Sequence, residues 1–103
     1  MKEMKELQIL KDNWEEFLRF MKARYPIYHL SNVFVRDIEY AIRDYFLDRG
    51  EKISFAEAEY LAQKFAEFLV EKGVFRVIKN EFNRVWNLNY PAFKKPSVQK
   101  QEK

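Results

Sequence analysis

Ser54-Phe-Ala-Glu-Ala-Glu-Tyr-Leu-Ala-Gln-Lys-Phe-Ala-Glu-Phe-Leu-Val-Glu-Lys-Gly-Val-Phe-Arg-Val77 decides how this chain folds, because the apolar period changes inside it. Phe55, Ala58, Leu61, Ala62, Phe65 and Leu69 recur at steps of three and four, which puts them on one stripe of a helix. Ser54 and Glu57 have the form of a capping box at its start, the hydroxyl accepting from the amide three residues on while the glutamate reaches back. Gly73 is suited to end the helix, since it takes a left-handed backbone without a Cβ penalty. Directly afterwards Phe75 and Val77 alternate with Arg76, the period-two signature of a strand. Trp86, Leu88 and Tyr90 alternate with Asn87 and Asn89 in the same way, so residues 79–83 read as the loop of a β-hairpin.

Upstream, Phe34, Val35, Ile38, Ala41, Ile42, Tyr45 and Phe46 keep helical period and predict a second helix over about 32–48, with Ser31 as N-cap and Gly50 as terminator. Leu7, Leu10, Trp14, Phe17, Leu18 and Met21 predict a first helix over 3–24, stopped by Pro26. The stretch 27–30 is too short to classify. The expectation is an α+β fold of three helices followed by a C-terminal two-stranded β-hairpin, one domain over 1–93, with a basic, unstructured tail over 94–103.

The length of 103 residues suits one core, and ten Phe, six Tyr and two Trp can fill it. No Cys is present, which removes disulfides and thiolate chemistry and suits a reducing compartment. The mixed-charge N-terminus lacks a signal-peptide pattern and no run suits a membrane span, so the expected location is the cytoplasm.

Little here points to chemistry. His29 is the only histidine, Asp44 and Asp48 are too few for a cation cage, and the two glycines form no phosphate loop. Ser31 and Ser54 are accounted for as caps. No catalytic residue, metal or cofactor is therefore assigned, and the chain is expected to work by binding.

Two helices joined by a short connection, then a glycine and a hairpin, resemble a winged helix-turn-helix with residues 79–83 at the wing tip. Residues 34–93 also resemble a DEP domain, through Glu57-Ala58, Leu61, Phe65, Gly73-Val-Phe-Arg-Val77, Phe82, Leu88-Asn-Tyr90 and Phe93. Ala41 stands where DEP domains usually carry tryptophan, and Arg36 where they often carry glycine. The winged-helix resemblance implies DNA binding, and the DEP resemblance implies association with proteins or membranes.

Charge is unevenly placed. The third helix with its cap, 54–72, carries Lys64 and Lys72 against Glu57, Glu59, Glu67 and Glu71, a net −2, whereas 73–103 carries seven basic residues against Glu81 and Glu102, a net +5. Duplex DNA is the leading expected partner, held through its backbone by Arg76, Lys79, Arg84, Lys94 and Lys95, with Gln63 and Lys64 as the outward groups of the third helix. These same charges could simply solubilise an edge hairpin. The alternative is a DEP-like adaptor binding an acidic protein or an anionic membrane surface. Leu7, Leu10, Trp14, Phe17 and Met21 also fit two heptads, a candidate homodimer seam whose alternative is packing within its own domain.

Overall fold

A computed structural model describes residues 4–78 and 84–95. Two short helices, α1 (Lys5–Asp12) and α2 (Trp14–Arg24), lead to strand β1 (Asn32–Phe34), then α3 (Val35–Asp48), α4 (Phe55–Glu71), β2 (Phe75–Val77), β3 (Val85–Leu88) and a closing 3-10 turn (Pro91–Phe93). The class is α+β, as the sequence predicts, but the sheet is larger than a hairpin. Three antiparallel strands lie in the order β1-β3-β2.

The third strand corrects the predicted start of the second helix. Val33 pairs with Trp86 and is buried, while Asn32 and Phe34 point outward, so residues 32–34 alternate with period two before the helix begins at Val35. Ser31 is no cap. Its Oγ accepts from the Tyr28 N–H at 3.0 Å and closes a turn.

That turn holds Leu30 at φ 74, with its N–H donating to the Leu88 carbonyl and its own carbonyl accepting from Asn87 Nδ2 at 2.8 Å. A branched side chain in the left-handed region costs about 1–2 kcal/mol. Leu30→Gly is therefore expected to stabilise the fold by about 0.5–1 kcal/mol, after allowance for the greater freedom of unfolded glycine, as measured by urea denaturation.

The predicted first helix is broken in two. Asn13 sits at φ −121 and ψ 36, and its side-chain Nδ2 and backbone N–H both donate to the Ile9 carbonyl, at 2.9 and 3.0 Å. Asparagine competes in this way with the helical ladder. Lys11 and Phe17 therefore lie on separate helices, α1 and α2. The helix α4 follows expectation closely: Glu57 N–H donates to Ser54 Oγ at 3.1 Å and Ser54 N–H donates to Glu57 Oε1 at 3.0 Å. Gly50 and Gly73 lie at φ 82 and φ 81, after α3 and α4.

The core lies between the inner sheet face and the helices, with α3 against α4, α1 against α4 and α2 against α3. Phe17 is at its centre, edge-on to Tyr45 at 5.3 Å and to Phe65 at 5.2 Å. No polar or charged side chain is buried among the described residues, so packing supplies most of what orders these elements. Leu7, Leu10, Phe17 and Met21 are in this core, and Trp14 packs beside it against Tyr90. Their heptad spacing is thus accounted for within the protomer, and a dimer seam through them would require that packing to open.

Candidate functional site

The register fixes which way each strand residue faces. Val33, Trp86 and Val77 form one row across the sheet on the core side, and Asn32, Asn87 and Arg76 form the next row on the outer side. The outer row is a hydrogen-bonded polar surface. Asn87 Nδ2 donates to the Leu30 carbonyl and to Asn32 Oδ1 at 3.3 Å, Asn89 Nδ2 donates to the Gly73 carbonyl at 3.0 Å, and Arg76 Nη2 donates to Asn89 Oδ1 at 3.1 Å. Arg76 is exposed but leans on its neighbour.

Among the described residues, the members of the predicted basic edge do not come together as one surface. Arg84 precedes β3, and Lys94 and Lys95 follow its far end, beyond the turn at Pro91–Phe93. At about 3.3 Å per residue, β3 alone separates the two groups by more than 10 Å. Arg84 turns toward carboxylates, with its Nη2 3.6 Å from Glu59 of α4 and 3.9 Å from Glu39 of α3. Glu39 Oε2 is itself inaccessible to water and has no hydrogen-bond partner among the described residues, so the guanidinium lies beside an otherwise unpartnered oxygen. Lys79, Phe82 and residues 96–103 lie outside the described residues.

On α4, Lys64 is exposed but lies 3.8 Å from Glu67, and Gln63 is half-buried. Glu57, Glu59, Glu67 and Glu71 are all exposed. The outward face of this helix is therefore acidic in place as well as in composition.

Beside it runs a feature that periodicity did not single out. A shallow groove of about 410 Å³ lies between α4 and β2, with Val70, Val77 and Trp86 as its apolar lining and Gln63, Glu67 and Glu71 as its polar rim. Val77 is 64% exposed although it lies on the core side of the sheet. The sequence shows Val77 only as an alternating strand residue, and nothing in that alternation tells that the helices stop short of it.

A second cluster brings together residues distant in sequence. Lys22 Nζ sits 4.1 Å from the Tyr28 ring centre, Lys95 Nζ sits 5.5 Å from the same centre, and Lys22 also approaches Phe93 at 5.6 Å. Cation–π contact of this kind contributes about 0.5–1 kcal/mol at exposed sites. His29 accepts from the Tyr90 N–H at 3.0 Å through Nδ1, which gives it a structural task. Asp44 and Asp48 receive Arg24 at 3.7 and 3.8 Å.

One carboxylate pair is sensitive to pH. A hydrogen bond between Glu6 of α1 and Glu51 of the α3–α4 connection lowers the pKa of Glu6 and raises that of Glu51. The raised group contributes stability that is lost as pH rises through its folded pKa, and the lowered group contributes stability that is lost as pH falls through its own. The contribution is thus largest between the two, where one proton is shared. Glu51→Gln supplies a permanent donor, so its melting temperature relative to wild type is expected to rise from mildly acidic to neutral pH.

Comparison with protein-family models, curated proteins and solved structures finds no match. Among the described residues no helix is long and apolar enough to cross a membrane, and no group of three or more His, Cys, Asp or Glu is placed to hold a metal ion.

Proposed function

We propose that the chain is a non-catalytic binding domain of winged-helix type whose partner is a protein, as in the DEP-like reading, rather than the groove of duplex DNA. The winged-helix arrangement is supported by α3, a short connection, α4, a glycine and the antiparallel pair β2 and β3 in that order. The observation that carries the choice of partner is the acidic face of α4. A helix that presents four exposed glutamates repels phosphates, and affinity for duplex DNA comes mainly from Lys and Arg neutralising them. Arg84, the arginine nearest that face, is already engaged by Glu39 and Glu59.

Fluorescence anisotropy with a labelled duplex, across a salt series, tests this. Wild type is expected to bind weakly at physiological salt, while Glu59→Lys/Glu67→Lys/Glu71→Lys gains affinity that falls steeply with salt. Tight wild-type binding, with a salt slope of about three phosphates or more that Arg84→Ala reduces, would overturn the proposal.

The anionic-surface reading draws on a different observation. Lys22, Lys94 and Lys95 form no ion pair among the described residues, and two of them flank Tyr28. DNA backbone or anionic lipid would meet the protein there, away from α4, and Lys22→Glu/Lys95→Glu would then abolish retention on either.

A further inference from the structure

The outward side of α3 carries a pattern of its own. Arg36, Tyr40, Arg43 and Leu47 follow at steps of four, three and four, which sets them in one row about 16 Å long. None of the four belongs to the core, and Leu47 is 58% exposed. Arg43 ties this row to the start of α4: its Nε donates to the Ile53 carbonyl at 3.0 Å, and its guanidinium lies 3.8 Å from the centre of the Phe55 ring. Phe55 is still 63% exposed. Arg43, Asp44, Leu47, Lys52 and Ile53 line a small cleft beside it.

The charges around the row are sorted by side. Helical geometry puts Asp37, Asp44 and Asp48 on one flank and Glu39 on the other. Arg24 engages Asp44 and Asp48, and Arg84 engages Glu39 together with Glu59 of α4. Asp44 and Asp37 add to the burial that raises the pKa of Tyr25, so Asp37 faces that way too. Glu51 is hydrogen-bonded to Glu6, and Glu57 caps Ser54. Arg36, Arg43 and Lys52, by contrast, form no ion pair among the described residues. A single line of unneutralised cations, interleaved with exposed apolar side chains, thus runs between two acidic flanks.

We infer that this row receives an acidic segment of a protein partner, whose Asp or Glu side chains meet Arg36, Arg43 and Lys52 while its apolar side chains cover Tyr40, Leu47 and Phe55. The inference rests on the reading of the chain as a protein-binding domain. Charge and width together select the occupant. A duplex or an anionic bilayer is broad enough to bring phosphates against the flanking carboxylates, whereas one peptide segment follows the cations and leaves the flanks in water. Tyrosine and arginine are also among the side chains that carry most binding energy when a partner desolvates them.

The test pans the full chain against a random-peptide phage library and titrates the enriched peptides, synthesised with a fluorescent label, by anisotropy. Enriched sequences are expected to intersperse Asp or Glu with Leu, Phe or Trp, and to bind less tightly as salt rises. Arg36→Glu/Lys52→Glu, at exposed positions, is expected to weaken them by about tenfold or more, and Leu47→Ser by about fivefold. Lys64→Glu/Lys72→Glu, the same change of charge further along α4, is expected to leave affinity unchanged. Circular dichroism checks that each variant remains folded.

Enrichment of basic or uncharged sequences, affinity unchanged by the α3 variants, or an equal loss in the α4 variant overturns the inference. A labelled duplex titrated in the same buffer separates the levels. No enriched peptide and no duplex binding overturns the row on α3 as a site, whereas no enriched peptide with tight duplex binding overturns the protein-binding reading as well.

Discussion

Val33→Asp is expected to remove about 4 kcal/mol or more of the protein's stability, while Phe34→Asp, one residue on, should be tolerated. Val33 is 1% exposed in the middle of β1, opposite Trp86, and Phe34 is 50% exposed on the outer face. A carboxylate placed at Val33 would be buried with no partner, a change that costs about 4 kcal/mol or more. Total stability for a domain of this kind is about 5–15 kcal/mol. The helical reading of 32–48 predicts the opposite ranking, because there Phe34 belongs to the buried stripe and Val33 to the solvent side. Urea denaturation of the two variants decides between strand and helix at these positions, and equal losses would contradict the sheet.

Phe17→Ala is expected to cost about 3–5 kcal/mol, the range for removing a large aromatic from a packed core. The side chain is fully buried and joins α2 to α3 through Tyr45 and to α4 through Phe65. Edge-to-face contacts of this kind each contribute about 0.5–1.5 kcal/mol beyond burial. Thermal denaturation should show a fall of well over 10 °C, since about 1 kcal/mol shifts a domain near this size by roughly 4–8 °C. A loss below about 1 kcal/mol would mean that Phe17 serves an interface between copies, as its heptad spacing allows, and not the protomer's own core.

Local signals carried the fold where they had no competitor. The capping box of Ser54 and Glu57, the run to Leu69 and the period change at Gly73 each correspond to what forms at α4 and β2. They are short-range, and the chain around them adds nothing contrary. The strand β1 was hidden because its three residues are followed at once by a helix whose apolar stripe can be extended backward through Phe34. Only the pairing of Val33 with Trp86, fifty-three residues away, separates the two. Asn13 was hidden for a similar reason: the apolar period runs through it unbroken, and the side-chain bond to Ile9 that interrupts the helix leaves no mark on spacing.

The binding surface was less legible than the fold. Charge counts placed a positive field on the C-terminal third, but where each charge points depends on contacts between distant elements. Arg84 meets Glu39 and Glu59 only because α3, α4 and β3 converge. The groove at Val77 arises where two elements fail to cover a third, and composition carries no record of that.

Backbone amide shifts of the full chain, followed by NMR during titration with duplex DNA, test the central claim most directly. The account predicts that duplex DNA leaves α4 unmoved. Shifts at Gln63 and Lys64 on adding duplex would contradict it.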